Sequence, residues 1–174
     1  MTIFLEPGRT SQSDEDDIIQ ALFQMYGTRN KRFVEFGCGD GRQNNTINLL
    51  KDGWSGVWLD PHKKRINSAR ERWAKAIADN RLSIVRRYVR PENVNKVVHD
   101  PLDFLSIDID GNDYAVWNSI VARPRVVCIE YDAINGTPFE RMHDLGIAKG
   151  YNFVAHSASK VNAFFVREEE CAQH

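Results

Sequence analysis

The sequence predicts an α/β sandwich of three layers: a mostly parallel seven-stranded sheet with an antiparallel last strand and helices on both faces. Three observations predict it. Five short apolar runs alternate with helical stretches, the order that builds a parallel sheet covered on both sides. The first run ends in a glycine turn, Gly37-Cys38-Gly39-Asp40-Gly41. The last two runs are separated only by a short polar connection, as in a closing hairpin.

Each element has its own signal. Ile18, Ile19, Leu22, Phe23 and Tyr26 share one helical face, with Ser13 or Asp14 as N-cap. Phe33-Val34-Glu35-Phe36 reads as a buried strand. A helix comes next across Asn45 to Lys51, stopped by Gly53. Gly56 to Leu59 forms the second strand, ended by Asp60-Pro61. Ile66, Ala69, Trp73 and Ile77 then mark one amphipathic helix whose other face is basic. Leu82 to Val89 is a third strand, and Pro91-Glu92-Asn93 starts a short helix. Leu102 to Ile107 is the fourth strand, succeeded by an acidic turn and a helix across Tyr114 to Val121. Arg125 to Glu130 is the fifth strand, and a last helix runs from about Phe139 to Lys149, ending at Gly150. Asn152 to His156 and Ala163 to Arg167 make the hairpin.

Composition narrows the class. The chain has 174 residues, 42% hydrophobic and 27% charged, which fits one folded domain over residues 1–174 with a real core. A formal net charge of -1 gives no global attraction to nucleic acid or an anionic membrane. Lys63, Lys64, Arg65, Arg70, Arg72 and Lys75 read as a solvated helix face, which leaves nucleic acid a minor alternative. No apolar run reaches the roughly 20 residues that span a bilayer. The N-terminal residues lack the charge order of a secretory signal. Cys38, Cys128 and Cys171 show no Cys-x-x-Cys spacing, so free thiols and a cytoplasmic location are expected.

In open parallel sheets, ligands sit beyond the carboxyl ends of the strands, so the residues just past each strand are the candidates for a site. After the first strand comes Glu35-x-Gly37-x-Gly39-x-Gly41. Glycines allow backbone angles closed to other residues and let a ligand approach the main chain. A helix N-terminus beyond the turn is expected to offer free N–H groups. The third glycine falls one residue earlier than in the dinucleotide fingerprint, and an acidic residue stands two before the first. This spacing favours S-adenosylmethionine over a dinucleotide, since there is no pyrophosphate to cradle and an ammonium group welcomes a carboxylate.

Asp60 ends the second strand, where a carboxylate can accept both hydroxyls of a ribose, or cap the next helix. Arg87 and Tyr88 lie where an adenine is expected. Asp108, Asp110 and Asp113 come after the central fourth strand, and Glu130, Tyr131 and Asp132 stand at the end of the fifth. Carboxylates at a buried strand end need donors or a cation. One could act as general base, the group could bind a divalent metal, or Asp110 to Asp113 could be a turn and helix cap. An EF-hand is excluded by the position of Gly111. Asp108 facing the site is favoured over a metal. His156, at the end of the sixth strand, is a second base or an orienting group.

The ordered motifs resemble the FkbM-like branch of class I S-adenosylmethionine-dependent methyltransferases. They are Ser11-Gln12 with Glu15-Asp16, Phe33 to Gly37, Gly53-Trp54-Ser55-Gly56, Pro91 to Asn95, Leu105 to Tyr114, Ile129-Glu130-Tyr131 and Asn162 to Val166. The resemblance implies a Rossmann-like sheet, S-adenosylmethionine as methyl donor, and O-methylation of a hydroxyl on a saccharide or small molecule. It implies that Glu35, Gly37, Cys38 and Gly39 meet the methionyl part, Asp60 and Pro61 the ribose, and Asp108 the region of the methyl group. Gln12, Asp110, Asp113 and Glu130 would form the acceptor side, with residues 1–30 packing over the cofactor site. The connection Asp132 to Pro138 is shorter than in many members, so the acceptor does not carry over. Two rivals stand beside this reading: a non-catalytic S-adenosylmethionine- or nucleotide-binding module, and a metal-dependent glycosyltransferase using Asp108-x-Asp110.

Overall fold

A computed structural model describes residues 14–132 and 136–172. Its seven strands are β1 (Arg32–Phe36), β2 (Ser55–Asp60), β3 (Leu82–Arg86), β4 (Phe104–Ile107), β5 (Val126–Glu130), β6 (Tyr151–His156) and β7 (Asn162–Arg167). They form one sheet in the order β3-β2-β1-β4-β5-β7-β6. β1 to β5 pair in parallel, whereas β7 pairs antiparallel with both β5 and β6. This is the predicted sheet. The strand order reverses between β1 and β4, which opens a crevice at their carboxyl ends.

Strand alternation divides the core in two. Phe33, Trp58, Phe104, Val126 and Phe164 point to one face, beneath Ile19 and Leu22 of α1 (Glu15–Tyr26), Leu50 of α2 (Ile47–Lys51) and Ile66 of α3 (Lys63–Arg72). Val34, Leu105, Val127 and Phe165 point to the other, beneath Val116 and Trp117 of α5 (Asp113–Ser119) and Met142 of α6 (Phe139–Ala148). With both faces covered, β4 and β5 are buried in continuous runs rather than alternating ones.

Three local expectations are corrected. The basic helix does not run unbroken to Ile77: it stops at Arg72, and α4 (Ala74–Ala78) resumes after Trp73. Trp73 leaves helical geometry (φ -104, ψ 21) because its indole N–H donates to the Gly41 carbonyl at 2.8 Å and its ring meets Trp58 edge-on. The third strand ends at Arg86, not Val89, so Tyr88 and Val89 are released from the sheet. The expected helix at Pro91 is a turn and then one 3₁₀ turn, Val94–Lys96, anchored by the Asn93 amide on Arg90 N and Tyr88 O.

Candidate active site

The glycine turn bends back on β2: Gly37 and Cys38 donate their N–H groups to the Leu59 carbonyl at 2.9 and 3.2 Å. Gly37, Gly39 and Gly41 all have positive φ, yet the three do different work. A Cβ on Gly37 would lie 1.7 Å from the Asp108 carbonyl oxygen, so glycine is what lets β1 and β4 end side by side. A Cβ on Gly39 would meet no protein atom within 4 Å. Gly41 packs under the Trp73 and Trp58 rings and so serves the core rather than the turn's open side.

The expected helix N-terminus at this turn is absent. The helix α2 begins only at Ile47, because Glu35 occupies the preceding donors. Its Oε1 accepts the Asn45 N–H at 2.9 Å, and its Oε2 accepts the Thr46 hydroxyl, which in turn accepts the Trp58 indole N–H at 2.7 Å. Glu35 is 4% exposed and lies behind the turn rather than in the cleft. Burial pushes its carboxyl up to about 7, against the opposing pull of Thr46 and Asn45.

Asp60 ends β2 facing the turn, only 2% exposed. Its Oδ2 accepts Gly39 N–H at 3.1 Å and its Oδ1 accepts His62 N–H at 2.7 Å. Each oxygen keeps a lone pair for a further donor. The two readings of Asp60, cap and ligand contact, are therefore compatible in one geometry.

Between these walls lies a cleft of about 600 Å³. Gly37, Cys38 and Gly39 line one side, Asp60 and Pro61 the base, Arg87 and Tyr88 one end, and Asp108 and Asp110 the other. The cleft is charged at both ends with opposite signs. Arg65 joins Arg87 at the β2–β3 end, beside His62. Sequence reasoning did not single out His62, Ile109 or Asn112 as lining residues; their adjacency to Asp60 and Asp108 was the available signal.

The acidic turn after β4 is tightly built. Asp113 accepts Ile109 N–H at 2.9 Å and Gly111 N–H at 3.0 Å, which holds Asp110 at a φ of 56 and starts α5. Asp113 therefore holds the turn, and Asn112 is the N-cap of α5. Asp108, Asp110 and Glu130 each bring a carboxylate oxygen within 4.8 Å of the others. Burial, then the charge of Asp113, raises Asp108 to about 6. Burial, then Asp108, raises Glu130 to about 8, and its retained proton is donated to Asp108. A second hollow of about 200 Å³ opens beyond Asp110, lined also by Asp113, Glu130, Tyr131 and Asp132.

Other predicted residues fall elsewhere. His156 lies on the outermost strand and lines neither cavity among the described residues. Its Nδ1 is 2.9 Å from the Tyr131 hydroxyl, and its ring packs on Phe139 and Phe153. Gln12 and Ser13 lie outside the described residues. The helix α1 packs on the sheet through Phe23, edge-on to Trp54 and Phe104, while Asp14 Oδ1 accepts Ala158 N–H at 2.7 Å and Glu15 Oε1 accepts the Asn162 amide at 3.1 Å. The three cysteines are free, and no helix among the described residues is long and apolar enough to cross a membrane.

No protein-family model matches the sequence. No curated protein matches it. Solved structures do. An O-methyltransferase from Bacillus cereus in complex with SAH is 20% identical, with a TM-score of 0.62 over 94% of this chain and 83% of that one. Magnesium protoporphyrin IX methyltransferase (ChlM) from Synechocystis PCC 6803, with bound SAH, is 12% identical, with a TM-score of 0.65 over 88% of this chain and 81% of that one. The pyocyanin biosynthetic protein PhzM is 18% identical, with a TM-score of 0.58 over 84% of this chain. The chain spans about half of PhzM, 53% of its length. At these identities the likeness shows the fold: a Rossmann-like methyltransferase sheet with an antiparallel strand near its edge.

Proposed function

We propose that the chain is an S-adenosylmethionine-dependent methyltransferase acting on a hydroxyl of a small molecule or saccharide. The observation that carries the reading is the cleft that runs from Arg87 and Tyr88 past Gly39 and the buried Asp60 to Asp108. The residues present fit the cofactor. The space above Gly39 is open where any side chain would fill it, and a buried strand-end carboxylate waits beside it with lone pairs to spare. The neighbours bearing SAM or SAH in the same fold support the same donor.

In this reading Gly37, Cys38 and Gly39 hold the methionyl arm through the main chain, and Glu35 fixes their turn from behind. Asp60 and Pro61 hold the ribose, with Arg87 and Tyr88 beside the adenine. When bound, the cofactor supplies an activated sulfonium methyl, so the protein's work is largely positioning. Asp108 is the base: ionised near neutrality and steadied by the Glu130 proton, it accepts the proton of the acceptor hydroxyl as that oxygen attacks. His156 acts at one remove, orienting Tyr131 at the rim of the acidic hollow. A cytoplasmic location belongs to the same proposal.

Calorimetry with S-adenosylmethionine and S-adenosylhomocysteine tests the reading. Saturable binding of both is expected, and binding of neither overturns it. Retained binding with no methyl transfer to any saccharide or hydroxylated compound would favour the non-catalytic module, the reading that the short connection after Glu130 keeps open.

A further inference from the structure

The near-zero net charge conceals a segregated one. Residues 61–99 hold eleven of the chain's 23 lysines and arginines but three of its 24 aspartates and glutamates. The fold gathers this block at one side of the molecule. β3 is an edge strand of the sheet, and α3 and α4 pack against it. The basic helix thus shares one flank with Arg81, Arg86, Arg87 and Arg90, at the two ends of β3.

Fold stability does not account for these cations. Elsewhere in the chain, Arg29, Arg42, Arg123, Arg125 and Arg167 each pair with a carboxylate. Of the eleven, only Lys75 does so among the described residues. Lys63, Lys64 and Arg65 fill the first turn of α3, where the helix dipole disfavours positive charge and no acidic residue offsets it. Three guanidiniums are nonetheless set in place by main-chain carbonyls. Arg70 donates twice to the outer carbonyl of Ile84 at 2.8 and 3.2 Å, Arg86 to Pro61 at 3.0 Å and Arg81 to Leu50 at 2.6 Å. Each keeps further N–H donors for an anion.

What the flank lacks narrows the partner. Arg70 already covers the edge of β3, which argues against pairing with a strand of a second copy. Of the exposed large apolar side chains among the described residues, only Tyr88 lies here, too few for a protein interface or for insertion into a lipid surface. Tyr88 is 58% exposed at the lip of the cofactor cleft, with the Arg90 guanidinium 4.7 Å from its ring centre. A row of cations beside an open aromatic ring suits a chain of phosphates with a stacked base. We infer that this flank docks single-stranded nucleic acid, its phosphates on the arginines around β3 and a base on Tyr88. Arg65 and Arg87 line the cleft, so the strand leads to the cleft mouth. Such docking does not depend on methyl transfer.

Fluorescence anisotropy tests it, with the full, unliganded chain titrated into a labelled oligouridylate of about 15 nucleotides. Polyphosphate of similar length, polyglutamate and phosphatidylserine vesicles are run as competitors. Saturable binding of the oligouridylate is expected, weakening with salt at a log–log slope of about −3 if four phosphates are neutralised. Lys63→Gln with Lys64→Gln removes two charges that make no hydrogen bond or ion pair among the described residues, and should flatten that slope by about 1. Tyr88→Ala should weaken oligouridylate about fivefold or more and leave polyphosphate within about twofold. Arg141→Gln, on α6 and over the Tyr114 ring, should leave both within about twofold. No binding at low salt, tighter capture by vesicles or polyglutamate, or an equal effect of Tyr88→Ala on both phosphate chains would each overturn the assignment. So would a loss in Arg141→Gln as large as in the lysine pair.

Discussion

The Asp60 carboxylate accepts the backbone N–H of Gly39 at 3.1 Å, which ties the end of β2 to the turn after β1. Removing that carboxylate therefore does two things at once. Asp60→Ala unties the turn and deletes the proposed ribose contact. With charge-assisted bonds worth about 1.5–3 kcal/mol each, affinity for S-adenosylmethionine should fall about 10- to 100-fold. Turnover at saturating cofactor should fall much less. Calorimetry and initial rates on a variant with a normal melting curve decide it, and an equal loss in both would contradict the assigned role.

Gly37 and Gly39 offer an internal contrast. Both have positive φ, so alanine at either is strained by about 1–2 kcal/mol. At Gly37 the new methyl also strikes the Asp108 carbonyl, and the total cost should reach about 3–5 kcal/mol. At Gly39 the methyl enters open space. Gly39→Ala should therefore lose only that backbone strain, a few degrees of melting temperature, and yet lose cofactor binding, whereas Gly37→Ala should lose stability first. A Gly39→Ala protein that binds normally would place the cofactor away from this turn.

Stability should depend on pH through the strand-end carboxyls. Glu35, Asp108 and Glu130 are raised to about 7, 6 and 8. Each keeps its proton in the folded chain at a pH where the unfolded chain, with carboxyls near about 4, has released it. Their contribution is complete below that unfolded value and is lost as pH rises through the folded ones. Glu170 works in the other direction: although buried, it is held down to about 2 by Arg125 and Arg167, so its contribution is lost only in acid. The melting temperature should fall between pH 5 and 8, and Glu35→Gln should flatten part of that slope. Melting curves across the range check it; a rising temperature would contradict the sign.

Most of the sheet was legible because burial on both faces writes continuous apolar runs, and glycine or acidic residues mark their ends. What escaped had tertiary causes. Trp73 keeps perfect helical spacing with Ile66 and Ile77, and only a hydrogen bond to Gly41, remote in sequence, breaks the helix there. Glu35 looked like a ligand carboxylate by position, but its oxygens face Thr46 and Asn45, a direction that spacing does not encode.

Asp108 is where the assigned chemistry is most exposed to test. It lines the cleft, accepts a hydrogen bond from Glu130, and releases its own proton near pH 6. As a general base it must be ionised, so kcat/KM should rise with pH through about 6 and then level. Asp108→Asn keeps the shape and removes the base, and kcat should fall about 10²- to 10⁴-fold. Stability near neutrality should hold or improve, because a buried charge has been removed. Cofactor affinity should weaken far less than turnover, since the main chain of the glycine turn and Asp60 remain. If the variant keeps its turnover, or keeps the pH limb near 6, another group takes the proton and Asp108 serves only to shape the wall.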